Sequence, residues 1–108
     1  MDARMLPLPF DPDSLPGLSA RLLQSHHQNN YGGAVKRLNA IRAQLAATPA
    51  ATLSGFALNG LKREELIATN SMLLHELYFA SLGGDGQPLV PALDLALSAS
   101  FGSVAAWR

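Results

Sequence analysis

The chain contains no cysteine among its 108 residues. Disulfide bonds, thiolate metal sites and cysteine nucleophiles are therefore excluded. Charged residues make up only 15% of the chain and the formal net charge is zero, so neither nucleic acid nor a charged membrane is favoured as a partner, while self-association is tolerated. No apolar run is long enough to cross a membrane and the N-terminus has no signal-peptide core, so we expect a cytoplasmic protein.

Common catalytic motifs are missing as well. The sequence has no G-x-G-x-x-G, P-loop, nucleophile-elbow or H-E-x-x-H pattern, so the usual signatures of dinucleotide binding, phosphate binding, serine hydrolysis and zinc proteolysis are not present. The residues left to carry chemistry are three histidines, His26, His27 and His75.

The first 17 residues are predicted to form an extended arm. They contain four prolines and a glycine, a spacing that prevents helix formation. Apolar residues that alternate with the prolines are suited to pin the arm across a domain; they are Leu6, Leu8 and Phe10. The rest of the chain is rich in Ala and Leu, which favour helix, and no strand is expected.

A first long helix is predicted to begin after Ser19, a good N-cap residue, and to end by Thr48-Pro49. Apolar residues between these limits recur close to helical spacing. The adjacent glycines Gly32-Gly33 should weaken or bend the helix near its middle. This segment is therefore predicted to be long, amphipathic and irregular at one point.

A second long helix is predicted after a loop. Residues 48–60 are small and turn-forming, which indicates the loop. The helix that follows is predicted to begin near Leu61 and to end at a glycine cap, Gly83-Gly84. Two long helices joined by a short loop favour an antiparallel hairpin.

Shorter helices are predicted at the C-terminal end. Pro91 is suited to the first turn of a third helix, and Ser103 to the N-cap of a final turn, which is not stable alone. Residues 1–108 are thus predicted to form one all-α domain. It comprises a long antiparallel helical hairpin, the first helix bent near Gly32-Gly33, short C-terminal helices and the extended proline-rich N-terminal arm.

The hairpin would bring two histidines together. Neighbouring helix positions point about 100° apart, so His26 and His27 cannot both face one site. His26 falls on the apolar stripe of the first helix, and His75 lies midway along the second. Imidazoles suit zinc, iron, manganese or copper. A histidine on an apolar stripe is, however, more often a hydrogen-bonded core residue, and two ligands do not complete a metal site.

Four segments resemble, in order, the N-terminal half of the iron/manganese superoxide dismutases. LPLPFDPDSLPGLS is similar to the family's opening L-P-x-L-P-Y, and HHQNNYGGAVKRLN to its H-H/Y-x-x-H-H-x-x-Y-V-x-x-L-N. LHELYFASLGGDGQP resembles N-H-x-x-F/Y-W-x-x-L followed by a glycine-rich loop and proline. LALSASFGSVAAW resembles A-I-x-x-x-F-G-S-x-x-x-F, of which F-G-S is the most specific part. The resemblance implies the disproportionation of superoxide to oxygen and hydrogen peroxide.

The resemblance also implies two metal ligands within this chain. His26 matches the family's first ligand and His75 its second, with iron or manganese as the metal. The family completes its site with an Asp and a third His in a D-x-W-x-H motif of a C-terminal α/β domain, and these 108 residues contain no such motif. We therefore expect that domain to be absent, and the chain to be incomplete as an enzyme, either truncated or completed by a complementary domain.

Around the two ligands the chain departs from the family pattern. Asn30 stands where the family usually has a histidine that guards substrate access, and Ala34 where it usually has a gateway tyrosine. Tyr31 is a candidate catalytic replacement for that tyrosine. Phe79 replaces the usual tryptophan beside the metal, and Ser71 stands where iron enzymes often have glutamine. Such residues tune redox potential and proton delivery.

Two other hypotheses remain open. The chain is alternatively a non-catalytic helical module that dimerises, with a homodimer gathering two copies of His26 and His75 into a four-histidine site suited to zinc or iron. In a third interpretation it is a metal-free interaction protein whose histidines are packed core residues. Metal analysis of a His75→Ala variant and a superoxide-decay assay separate these hypotheses.

Overall fold

The computed structural model describes residues 1–108, and every regular element in it is a helix. The α-helices are α1, Ala20–Ser25; α2, Gly32–Ala47; α3, Gly55–Ser81; α4, Pro91–Phe101; and α5, Val104–Trp107. A π-helical turn at His26–Tyr31 joins α1 to α2, and short 3-10 turns occupy Pro12–Ser14 and Ala50–Thr52. The predicted all-α class is confirmed. None of the helices combines the length and the apolar character needed to cross a membrane.

The first long helix runs from α1 through the π-helical turn into α2. Ser19 caps it as predicted, because its Oγ accepts a hydrogen bond from the Leu22 amide at 3.1 Å. A π-helical turn is wider than an α-helical one because its hydrogen bonds reach five residues back, and such turns often occur at functional sites. This irregular turn directly precedes Gly32-Gly33, where the sequence predicts a bend.

The N-terminal arm lies across the first helix, as predicted. The side chain of Asn39 holds it by two hydrogen bonds: the Ala3 amide donates to Oδ1 at 2.8 Å, and Nδ2 donates to the Ala3 carbonyl at 2.9 Å. Further along the arm, a Cβ on Gly32 would lie 3.0 Å from Sδ of Met5, whereas a Cβ on Gly33 would meet nothing. The absence of a side chain at Gly32 therefore allows the Met5 side chain of the arm to approach the helix backbone closely, whereas Gly33 has no such neighbour.

The second long helix begins earlier than the sequence predicts. α3 starts at Gly55, so the prediction of a loop over 48–60 and of a helix start near Leu61 is wrong for the second half of that range. Ser54 has an extended backbone and ends the connection. Each glycine inside a helix costs about 1 kcal/mol relative to alanine, which argues against a helix from the sequence alone. In this first part of α3 only Ala57 and Leu58 are half-buried.

The core lies between α2 and α3, which pack antiparallel. It contains two clusters of buried residues, which are Tyr31, Val35 and Phe79, and Leu38, Ile41 and Ala68. Two ion pairs also link the helices, Arg37 with Glu64 and Arg42 with Glu65. Exposed ion pairs contribute little to stability, so the apolar contacts set the alignment of the two helices. This alignment brings the start of the π-helical turn beside the C-terminal third of α3.

The C-terminal elements form where the sequence predicts them. Gly83 and Gly84 follow α3 with φ of +94° and +83°, conformations that favour glycine. Pro91 is the first residue of α4. The Oγ of Ser103 caps α5 by accepting a hydrogen bond from the Ala106 amide at 3.0 Å. All three local predictions are confirmed.

These C-terminal helices do not cover the hairpin. α4 packs mainly against α5, and the radius of gyration of the chain is 19.4 Å, compared with about 13 Å for a compact chain of 100 residues. As a result, one side of α3, which we term the apolar α3 face, stays exposed. It comprises Leu66, Ile67, Leu73, Leu74, Leu77 and Tyr78.

Candidate metal site

The structure brings His26 and His75 into contact, as the hairpin predicts. His26 is the first residue of the π-helical turn, and His75 lies on α3. Their ring centroids are 5.0 Å apart and the ring planes are inclined at 78°. The two imidazoles open onto a shallow cleft of about 160 Å³, which Leu74 and Tyr78 complete.

The hydrogen bonds of His75 define its tautomer. Its Nδ1 lies 2.6 Å from the backbone carbonyl oxygen of Ser71, one helical turn earlier, and 3.4 Å from the Ser71 Oγ. A carbonyl oxygen only accepts hydrogen bonds, so Nδ1 carries the hydrogen and donates it. The Nε2 of a neutral His75 then keeps a free lone pair. A histidine that ligates metal typically uses one ring nitrogen in this way while the other donates to a carbonyl or carboxylate.

His26 is held in its neutral form at physiological pH. Burial, and to a smaller extent the nearby His75, lower the pKa of His26 below the usual 6.5. Its ring also packs against Phe79 and Tyr78, with centroids 5.2 Å and 5.3 Å away. A neutral imidazole is the state that binds a metal ion.

The donor set fits one part of a metal site. Two neutral imidazoles side by side are suitable ligands for iron, manganese or zinc. No group of three or more His, Cys, Asp or Glu side chains is close enough to hold a metal ion, and catalytic metal sites typically have at least three protein ligands. His26 and His75 therefore supply a pair of ligands, and the remaining ligands of a complete site would have to come from elsewhere.

The third histidine has a different environment. The Nε2 of His27 lies 2.8 Å from the carbonyl oxygen of Leu6 in the arm. Its ring packs against Tyr31 and Phe79, with centroids 5.3 Å and 5.5 Å away. His27 is thus half-buried beneath the arm, and a hydrogen bond to the backbone occupies one of its two ring nitrogens.

Tyr31 is the most enclosed aromatic residue beside the histidine pair, with 1% of its surface exposed. Its hydroxyl accepts a hydrogen bond from the Leu6 amide at 2.9 Å and donates one to Oε1 of Glu76 at 2.8 Å. Burial raises the pKa of Tyr31 above its usual 10; the hydrogen bond from Leu6 opposes this shift, and the Glu76 carboxylate reinforces it. Its ring lies against that of His75, with centroids 6.1 Å apart and planes inclined at 20°.

Glu76 is the residue that the sequence analysis missed. A signal for it exists, because Glu76 is the only charged residue between Leu66 and Leu82. A single acid within an apolar helical stretch often has a specific polar partner. That partner is Tyr31, which lies 45 residues earlier in the chain.

Known relatives share this sequence over most of its length. No protein-family model matches the chain. A protein of Cupriavidus metallidurans named "Superoxide dismutase [Fe]" is 62% identical over 104 residues, which is 96% of this chain and 52% of that protein. The chain belongs to the iron/manganese superoxide dismutase family. Proteins of Aquifex aeolicus and Aquifex pyrophilus with the same name are each 36% identical over 84 residues, which is 71% of this chain and 39% of theirs.

The chain therefore aligns with only part of each of these superoxide dismutases. The chain spans about half the length of the Cupriavidus protein and less of the two Aquifex proteins. The all-α structure of the chain is consistent with the N-terminal domain that the sequence resemblance indicates.

The positions at which the chain departs from the superoxide dismutase pattern fall into two groups. Asn30, Ala34 and Ser71 line one groove of about 290 Å³ between the two long helices. Ala34 is buried there and Asn30 is exposed. Phe79 is 3% exposed and packs against His26 and His27.

Proposed function

We propose that this chain supplies two ligands, His26 and His75, to the metal centre of an iron-dependent superoxide dismutase. The reaction converts two superoxide ions and two protons into one molecule of oxygen and one of hydrogen peroxide. The observation that carries this proposal is the contact between the two imidazoles, 5.0 Å apart, in a chain 62% identical to a protein named "Superoxide dismutase [Fe]".

The residues of this chain would prepare the two ligands. Ser71 holds the hydrogen of His75 on Nδ1, which leaves Nε2 to bind the metal. Burial keeps His26 uncharged, so no proton has to leave before it binds. When bound, iron would supply the one-electron exchange with superoxide. Manganese is the alternative metal, since imidazole ligands alone do not select between the two.

The rest of the site would come from a complementary segment. The family resemblance implies an Asp and a third His in a D-x-W-x-H motif, and the chain covers about half of its relative. The apolar α3 face lies next to the histidine pair, since Leu74 and Tyr78 belong to both. We propose that a C-terminal domain packs on this face and brings the remaining ligands to the cleft.

Iron content after reconstitution with Fe²⁺ under anaerobic conditions tests the ligand assignment. His26→Ala and His75→Ala should each abolish the iron binding, weak as it is, that the two imidazoles provide. His27→Ala is the matched control, because it removes a histidine of the same helix whose ring bonds to the arm. Iron retained by His75→Ala, or lost equally in all three variants, would contradict the assignment.

Superoxide decay tests the proposed incompleteness. The 108-residue chain alone should accelerate the decay little, because two imidazoles leave a redox metal weakly held. Addition of the C-terminal part of the Cupriavidus relative should restore activity if the cleft accepts the missing ligands. Rapid iron-dependent turnover by the chain alone would show that the chain is a complete enzyme.

One observation favours a second candidate function, that of a non-catalytic helical module. The apolar α3 face is large and uncovered, and a homodimer formed through it would place four histidines at one interface, a set suited to zinc. Sedimentation equilibrium with and without Zn²⁺ distinguishes the two. A metal-dependent dimer without dismutase activity would favour the module.

A further inference from the structure

Tyr31 connects the N-terminal arm to the proposed metal ligand. Its ring lies nearly parallel to the ring of His75, at a centroid distance of 6.1 Å and an angle of 20°. Its hydroxyl is fixed from two directions, by the Leu6 amide of the arm and by the Glu76 carboxylate of α3. A buried phenol with both of its hydrogen-bonding roles satisfied has little freedom to rotate.

The ring of His75 needs such a constraint. Its single short polar contact is the bond from Nδ1 to the Ser71 carbonyl at 2.6 Å. One hydrogen bond at the ring edge defines the tautomer, but it leaves the ring free to rock about that contact. The face of Tyr31 on one side and the edge of His26 on another restrict this rocking, since stacked and edge-to-face rings prefer defined geometries.

The charged carboxylate of Glu76 takes part in this arrangement. An acid on an otherwise apolar stretch of helix is most stable when its carboxylate reaches solvent. The Glu76 carboxylate instead accepts the Tyr31 hydrogen bond at 2.8 Å in a half-buried position. The orientation of Tyr31 therefore depends on a group that directly follows His75 in the sequence.

We propose that Tyr31 and Glu76 are positioning residues for His75: the Leu6 amide and the Glu76 carboxylate hold the Tyr31 ring in place, and that ring fixes the plane of the imidazole. The effect on metal binding rests on the proposed function. The effect on the imidazole itself does not, because it exists in the metal-free chain.

Four variants of the 108-residue chain separate positioning from general stability. Tyr31→Phe keeps the ring and removes the hydroxyl. Glu76→Ala removes the acceptor, and Glu76→Gln keeps an acceptor oxygen without the charge. Asn39→Ala is the matched control, since it releases the arm from α2 at Ala3 without touching Tyr31 or either ligand.

Three measurements apply to each variant, two of the site and one of overall stability. Affinity for Co²⁺, followed by its visible absorption, reports the geometry of the ligand pair. The ¹H–¹⁵N signal of Nδ1 of His75 in the metal-free chain, with its rate of exchange with water, reports the order of the imidazole. Unfolding free energies measured in urea identify variants that are merely destabilised.

Tyr31→Phe and Glu76→Ala should weaken Co²⁺ binding by about tenfold, the lower end of the effect seen for residues that orient metal ligands. Both should accelerate exchange of the Nδ1 hydrogen. Glu76→Gln should restore most of the affinity, because its amide oxygen accepts the same hydrogen bond. Asn39→Ala should lower stability while it leaves Co²⁺ affinity and Nδ1 exchange unchanged.

Several results would overturn the inference. Unchanged Nδ1 exchange in both Tyr31→Phe and Glu76→Ala would show that His75 needs no support from Tyr31. Equal losses in Asn39→Ala and Glu76→Ala would assign the effect to docking of the arm. If the unsubstituted chain binds no Co²⁺, the two imidazoles alone do not hold a metal ion, and the exchange measurement alone decides the positioning role.

Discussion

His75 donates its Nδ1 hydrogen to the carbonyl oxygen of Ser71, 2.6 Å away on the preceding turn of α3. Both groups belong to the same helix, one turn apart, so no other element has to supply the acceptor. The tautomer of His75 is therefore a property of α3 and does not require a metal. The pair illustrates how local helical geometry can prepare a ligand before its ion arrives.

This relationship predicts the result of a substitution at Ser71. Ser71→Ala should leave His75 as the Nδ1–H tautomer, because the short contact is to the backbone and the hydroxyl oxygen is 3.4 Å away. The ¹⁵N chemical shifts of the two ring nitrogens measure the tautomer directly. A shift to the Nε2–H form in Ser71→Ala would show that the hydroxyl, and not the carbonyl, holds the ring.

The pH dependence of stability should report His26. Its native pKa is lowered, so the unfolded chain binds a proton more readily than the native chain in the range between the lowered pKa and 6.5. The contribution of His26 to the free energy of unfolding is thus complete above pH 6.5 and is lost as the pH falls through the native pKa. We expect the metal-free chain to lose stability relative to His26→Gln on acidification, measured as the difference in urea unfolding free energy. A constant difference across that range would contradict the lowered pKa.

At alkaline pH, the stability of the chain should depend on the titration of Tyr31. The native pKa of Tyr31 is raised. Its contribution to the free energy of unfolding is therefore complete below pH 10 and is lost as the pH rises through the native pKa. At neutral pH, Tyr31→Phe should cost about 1–3 kcal/mol of unfolding free energy, because Glu76 and the Leu6 amide lose a buried partner. The difference between the two chains should shrink above pH 10. The phenolate absorbance of Tyr31, identified by its absence in Tyr31→Phe, should develop at a pH above the usual tyrosine pKa of 10.

The two adjacent glycines should respond differently to alanine. Gly33→Ala meets open space and should stabilise the helix by up to about 1 kcal/mol, the difference in helix propensity. Gly32→Ala places a methyl group 3.0 Å from Sδ of Met5 and should gain less or lose stability. Hydrogen exchange at the Leu6 amide should accelerate only in Gly32→Ala. Equal stabilisation in both variants would show that Met5 moves away from residue 32 without loss of stability.

Much of the fold could be predicted from residue types with strong local preferences. Ser19 and Ser103 are N-caps, Pro91 begins a helix, and Gly83 adopts a positive φ. Each of these features depends on one residue and its immediate neighbours. The start of α3 at Gly55 could not be predicted in this way, because the low helix propensity of Gly55 and Gly60 favours a loop there.

In the candidate site, too, some contacts follow from local sequence patterns and others join residues that are far apart in the chain. The approach of His26 and His75 follows from helical periodicity and an antiparallel hairpin, and the rings are indeed in contact. Their role as ligands, and the expected roles of Tyr31, Asn30 and the other neighbouring residues, stay predictions. The bonds that Leu6 and Glu76 make with Tyr31 join positions 25 and 45 residues apart. No periodic pattern in the sequence encodes such contacts.

The docked arm also has a consequence for the order of events during synthesis. Leu6 leaves the ribosome before its partner Tyr31, which follows 25 residues later, and Glu76 follows another 45 residues after that. At about 5–20 residues per second, the arm waits several seconds before the surface beneath it is complete. The arm therefore reaches its native contacts only after the helices on which it docks have been translated.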